Sequence, residues 1–166
     1  MRQLEHHEVK TQQHNKHIVV IVEDVTSPEN VGMVFRISEA MGVSKIYLTG
    51  NTPILPNKKI TKTARTTEKR LPSEHFAETK NVIQQLSNDG YTLFALEVTD
   101  KSKQLSEANF NTSEKIALFI GSETSGIRAA TLDQMTTAVM IPMFGKNTSI
   151  NVVTALSIAL YEIIRI

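Results

Sequence analysis

The sequence predicts an α/β fold built on a parallel sheet, and three observations carry that prediction. Ile18 to Val22 reads as an uninterrupted β-branched run, IVVIV, which suits a strand covered on both faces, as strands of a parallel sheet are. Helically spaced apolar residues follow, and a second apolar strand, Lys45 to Leu48, comes directly after them. That is a βαβ unit, whose crossover is right-handed in nearly all proteins. Strand-like and helix-like segments then alternate to the end of the chain.

Residues 1–16, rich in His, Gln, Lys and Glu, show neither periodicity and read as a flexible N-terminal arm ahead of one domain, residues 17–166. His6, His7, His14 and His17 lie in or beside the arm. Nothing there resembles the spacing of a metal-binding helix, so no metal is expected. The first strand ends at Glu23-Asp24, and Ser27-Pro28-Glu29-Asn30 is turn and cap chemistry. Val31, Val34, Phe35, Ile37, Ser38 and Met41 keep helical spacing until Gly42 stops the helix. Further on, Asn81 to Leu86 belong to a helix closed near Asn88-Asp89-Gly90. Tyr91 to Val98 and Ile116 to Ile120 are strands, Ala138 to Ile141 is a shorter one, and the last helix runs from about Ser149 to Arg165. There is no internal repeat or low-complexity linker.

At 166 residues, 40% hydrophobic and 21% charged, the chain has globular composition and can bury a core without disulfides or a structural metal. No apolar run approaches the roughly 20 residues of a membrane span. The N-terminus lacks the apolar stretch of a secretory signal, and the absence of cysteine excludes disulfides, thiolate nucleophiles and cysteine-ligated zinc. A cytoplasmic protein is expected. The net charge of +1 does not mark a nucleic-acid binder, but its distribution does more. Lys58, Lys59, Lys62, Arg65, Lys69 and Arg70 crowd into residues 57–70 against a single acid, Glu68. That local positive field suits a phosphate backbone; a solvated surface is the other reading.

Three segments break the packing pattern, each placing small or polar residues after an apolar strand, where open parallel sheets bind ligands. The first is EDVTSPENVGMVFR. Asn30 reads either as a helix cap or as a site residue, and Arg36 interrupts an apolar face between Phe35 and Ile37, where a guanidinium needs an acceptor-rich partner. In the second, LFIGSETSGIR, Gly121 and Gly126 bracket Glu123, and such glycines let a ligand approach the backbone. A plain strand-to-helix turn explains them equally well, and neither a Walker loop nor the dinucleotide fingerprint is present. The third, MIPMFGKNTSINVVTALSIALYEIIR, places Ser149 as an N-cap candidate and Asn151 in the first turn of an apolar helix. Asn151 has two donors and an acceptor to place there, and the positive helix end favours an electron-rich group.

In this order and at these spacings, the segments resemble the N-x-G-x-x-x-R, G-x-E-x-x-G and I-P-M-x-G…S-x-N motifs of the SpoU/TrmH branch of the SPOUT RNA 2′-O-methyltransferases, and the likeness covers nearly all of Ile18 to Arg165. It implies a Rossmann-like parallel sheet with a C-terminal deep trefoil knot (SPOUT, α/β knot), which periodicity does not show. It implies S-adenosyl-L-methionine as cofactor, held by Leu96, Gly121, Ile141, Ser149 and Ile150, and a homodimer paired through the knotted C-terminal region. By the same resemblance Arg36 is the favoured catalytic base, with Asn30, Glu123, Ser149 and Asn151 placing the arginine, the ribose and the cofactor's polar groups. An arginine, whose pKa is above about 12, is a demanding base, and stabilising the developing alkoxide is the other role open to it.

Transfer RNA is the preferred substrate. The chain lacks the separate N-terminal domain frequent among ribosomal RNA members and stops after the last helix, as the compact members acting on the tRNA wobble position do. Lys58 to Arg70 then becomes an RNA contact, reading shape and phosphates rather than stacking bases, because aromatic residues are few. A ribosomal RNA methyltransferase and a non-catalytic RNA-binding protein on the same fold are the alternatives. A flavodoxin-like flavin binder is a further one, opposed by the carboxylates of its expected phosphate loop. No membrane or metal partner is expected.

Overall fold

The computed structural model describes residues 1–165; the side chain of His6 and all of Ile166 lie outside the described residues. The run from Ile18 to Val22 forms the middle of strand β1 (His17–Glu23), and every residue of it is at most 1% exposed. The pleat sends its side chains alternately to two cores. Ile18, Val20 and Val22 pack with Val31, Val34, Phe35, Leu156 and Leu160, while Val19 and Ile21 pack with Val82, Ile83 and Leu86. Each Val or Ile so buried contributes about 1.5–3 kcal/mol over an exposed one.

Helix α1 (Pro28–Ala40) opens with Pro28 at its start and Ser27 as its cap, the Ser27 side chain accepting from the Asn30 amide N at 3.2 Å. Asn30 is therefore the third residue of the helix and not its cap. The helix ends as expected, with Gly42 at φ +70°. Strands β2 (Lys45–Thr49), β3 (Ser73–Phe76), β4 (Thr92–Leu96), β5 (Lys103–Gln104), β6 (Lys115–Ile120) and β7 (Thr137–Met140) join β1 in one sheet of order β3-β2-β1-β6-β4-β7-β5. All of its pairings are parallel, so the loops at the carboxyl ends of the strands gather at one rim. Helices α2 (Lys58–Ala64), α3 (Thr79–Asn88), α4 (Ala129–Leu132) and α5 (Val152–Arg165) complete the fold. Helices α1 and α5 pack with one core, and α3 with the other.

The expected α/β class and parallel sheet hold. The strand expected over Tyr91 to Val98 is shorter at both ends, and β3, β5, α2 and α4 are additions. β3 has no buried residue and β5 only two exposed ones, so neither carries an alternation to read. At the end of the N-terminal segment, His14 Nε2 lies 3.0 Å from the carbonyl oxygen of Met41, and Lys16 Nζ donates to that of Phe110 at 2.7 Å. No described helix is long and apolar enough to cross a membrane.

Candidate active site

A cleft of about 670 Å³ opens at the carboxyl rim where the segments after β4, β6 and β7 meet, a volume within the range of small-molecule sites. Leu96, Gly121, Ile141, Ser149 and Ile150, the residues expected around a cofactor, all line it, as do Glu123 and Asn151. Its floor is apolar, with Ile120, Met140 and Val152 beside Leu96 and Ile141. Its charged lining residues are both acidic, Glu97 and Glu123; no Lys, Arg or His lines it among the described residues.

The three sequence segments converge on the rim of this cleft. Asn30 Nδ2 donates to Glu123 Oε1 at 2.7 Å, and Asn30 Oδ1 accepts from Asn151 Nδ2 at 3.4 Å. Glu123 also accepts from the backbone amides of Thr26 (3.1 Å) and Ser27 (3.4 Å). Burial presses the Glu123 carboxyl upward, but the Asn30 amide and those backbone amides outweigh it and hold the group below the ordinary glutamate value. A carboxylate so stabilised is a poor proton acceptor and a good anchor.

Asn151, not Ser149, caps the last helix. Its Oδ1 accepts from the backbone amides of Val153 (2.8 Å) and Thr154 (3.4 Å), leaving Nδ2 for Asn30. This overturns the expected start near Ser149, whose exposed side chain lines the cleft instead. Both residues are good caps, and only the path of the chain selects between them.

The glycines of the second segment serve the loop itself. Ser122 and Gly126 exchange backbone hydrogen bonds of 3.1 and 3.0 Å, closing a tight turn with Gly126 at φ +67°. A Cβ on Gly121 would meet the Gly126 carbonyl carbon and the Ile127 nitrogen at 2.3 Å. Close packing of backbone on backbone requires glycine there, so the loop's own geometry and not a ligand's approach accounts for it.

Arg36 is exposed and does not line the cleft. The face it interrupts is not buried at that position, contrary to expectation, and among the described residues it forms no ion pair. It belongs to the helix that presents Asn30. Of the basic stretch, Lys58, Lys59 and Lys62 are exposed on α2 and Arg65 is its left-handed C-cap at φ +53°. Lys59 pairs with Glu29 at 3.3 Å and Arg70 with Glu39 at 3.5 Å, both acids on α1. Helix α2 can lie this close because residue 32 is glycine: a Cβ there would meet Thr63 Oγ1 at 2.0 Å and the Ile60 carbonyl oxygen at 2.4 Å.

Some contributors escaped the sequence reading. Glu97 is a carboxylate directly after a strand, which has no signature by itself. The acids Glu23 and Asp24, read as a negative loop, are both engaged. Buried Glu23 accepts from Arg128 N (3.0 Å) and Thr131 Oγ1 (2.7 Å), and Asp24 pairs with the Arg128 guanidinium. Among the described residues no group of three or more His, Asp or Glu is placed to hold a metal.

Fold and site together define an α/β protein with a cleft of small-molecule size, its charged lining acidic, at the carboxyl rim of a parallel sheet. The chain belongs to the SpoU rRNA Methylase family, which it matches over residues 17–161. It is 29% identical over 161 residues to the 23S rRNA (guanosine-2′-O-)-methyltransferase RlmB of Blochmanniella floridana, covering 96% of this chain and 61% of that protein. To the tRNA (guanosine(18)-2′-O)-methyltransferase of Borreliella burgdorferi it is 26% identical over 151 residues, covering 89% and 66%. The chain thus spans less than two thirds of either relative. The AdoMet-bound rRNA methyltransferase from Sinorhizobium meliloti superposes with a TM-score of 0.84 at 24% identity, over 92% of this chain and 57% of that one.

Proposed function

We propose that the chain transfers a methyl group from S-adenosylmethionine to a ribose 2′-hydroxyl of RNA, with tRNA as the preferred substrate. The observation that carries this reading is the acidic, nucleoside-sized cleft beside the Asn30–Glu123–Asn151 network. A cationic sulfonium suits a site whose charged lining is Glu97 and Glu123, and apolar Leu96, Ile120 and Ile141 suit an adenine. A flavin phosphate would be repelled there.

Leu96, Gly121, Ile141, Ser149 and Ile150 hold the cofactor. When bound, S-adenosylmethionine supplies an electrophilic methyl group with a neutral thioether as leaving group. The chain's own task is the hydroxyl, a poor nucleophile that loses its proton as the new C–O bond forms. Arg36 is assigned to that oxygen. A guanidinium is ordinarily fixed as a cation, so its contribution is chiefly to stabilise the developing alkoxide, and the proton released as the C–O bond forms passes to water. Asn30, Glu123, Ser149 and Asn151 place the ribose and the cofactor's polar groups.

Lys58, Lys59, Lys62, Arg65, Lys69 and Arg70 hold the phosphate backbone. A cation-rich face with few aromatic residues favours a folded RNA read by shape and phosphates; the likeness to the Borreliella enzyme supports tRNA, and ribosomal RNA is the second reading, favoured by the likeness to the Blochmanniella enzyme. The family's trefoil knot is assigned to the C-terminal segment. A cytoplasmic homodimer forms through that region, a pairing supported by Ile158 and Tyr161, which α5 leaves 41% and 59% exposed.

Mass-spectrometric mapping of ribose methylation, after incubating the protein and S-adenosylmethionine with unmodified tRNA and rRNA, tests the reading. Arg36→Ala is expected to lose about 100-fold or more in turnover while S-adenosylhomocysteine affinity holds. Methylation of neither RNA overturns the proposal in favour of a non-catalytic RNA binder, and full turnover by the variant removes Arg36 from the chemistry.

A further inference from the structure

The two carboxylates of the cleft are held differently. Glu123 is engaged by the Thr26 and Ser27 backbone amides, the Thr26 hydroxyl and the Asn30 amide, which fill the roughly four acceptor positions a carboxylate offers. Glu97, the residue after β4, has two protein donors among the described residues: the amide of Val98 reaches Oε1 at 2.9 Å and that of Ile127 reaches Oε2 at 3.0 Å. Its own amide donates to the Val139 carbonyl at 3.0 Å, so the residue is fixed from two sides. Gly126 is shaped around it, since a Cβ at that position would lie 2.4 Å from Glu97 Oε2.

Glu97 therefore lines the cleft half-buried and rigid, with an acceptor position spare on each oxygen. Among the described residues no cation pairs with it. A partly desolvated carboxylate in that condition is stabilised by a ligand that brings donors. A vicinal diol brings two at matching separation, and an acid close after a parallel strand is a general solution for ribose hydroxyls. We infer that Glu97 is a specificity-determining residue whose carboxylate receives the two ribose hydroxyls of the cofactor's adenosine. The assignment rests on the cofactor reading above.

Calorimetry of the intact protein with S-adenosylhomocysteine and with its 2′,3′-dideoxy analogue tests it. The wild type is expected to prefer the diol roughly tenfold or more, the effect of losing hydrogen bonds to a charged acceptor. In Glu97→Gln that preference is expected to fall several-fold toward unity. If Glu97 only braced the loop, the substitution would weaken both ligands alike, so an unchanged preference in the variant overturns the inference. Equal wild-type affinity for the two ligands overturns it as well, even where the variant fails to fold. No binding of either ligand by the wild type instead sinks the cofactor reading, and the Glu97 assignment with it.

Discussion

The side-chain amide of Asn30 donates to Glu123 Oε1 at 2.7 Å, joining the first turn of α1 to the loop after β6 across 93 positions of sequence. Because Asn30 also accepts from Asn151, the helix cap of α5 is tied to the same point. One residue thus fixes three chain segments. Asn30→Ala leaves Glu123 with the Thr26 and Ser27 backbone amides and the Thr26 hydroxyl. On a partly exposed site the loss is about 1 kcal/mol, a drop in Tm of about 2–4 °C for a chain of this size. Turnover is expected to fall further than stability, because the cleft rim loses its register. A melting curve unchanged within 1 °C (about 0.3 kcal/mol) would show the bond to be incidental.

The state of Glu123 gives a pH dependence with a definite sign. Its carboxyl is held below the ordinary glutamate value, so it binds protons less readily folded than unfolded. The resulting stabilisation is fully present above the ordinary value and is lost as pH falls through the lower, folded one. Thermal melts of the wild type and Glu123→Gln should therefore differ at neutral pH and converge in acid. A difference that persists unchanged well below the carboxylate range would mean that charge is not what Glu123 contributes.

Much of this was legible beforehand, and the rest was not for physical reasons. Five β-branched residues in a row suit a doubly covered strand, and the ordered motifs pointed to loops at one rim. The cap of α5 was misassigned because Ser149 and Asn151 are chemically equal candidates. Helix α2 was invisible because it buries only Ile60 and Ala64, too few for periodicity. Arg36 looked buried because its neighbours in sequence are apolar, yet on a helix those neighbours face elsewhere.

Gly32 makes the relation between α1 and α2 testable. With Thr63 Oγ1 and the Ile60 carbonyl inside van der Waals reach of any added Cβ, Gly32→Ala must push α2 outward, at a typical overpacking cost of about 1–3 kcal/mol. Helix α2 carries the basic residues while the cleft lies at another part of the rim. The variant is expected to bind S-adenosylhomocysteine normally and RNA about tenfold more weakly. Equal loss of both affinities would point to general unfolding, and loss of neither would show that α2 adjusts without moving its cations.

Within the basic stretch, geometry separates free cations from paired ones. Lys58 and Lys62 lie four apart on α2 and so share a face, Arg65 follows at its left-handed C-cap, and none of the three forms an ion pair among the described residues. Lys59 is paired with Glu29 across the helix contact. Each phosphate neutralised by a cation releases counterions and adds about 0.7–0.9 to the slope of log K against log salt. Replacing Lys58, Lys62 and Arg65 together by Ala should therefore reduce that slope by roughly 2 and weaken binding uniformly across RNA sequences. Lys59→Ala should change it less, since its ammonium is already paired with Glu29 rather than free for a phosphate. Filter binding between 50 and 200 mM salt, the range over which such contacts show, decides the matter: an unaltered slope in the triple variant takes the phosphate backbone away from α2.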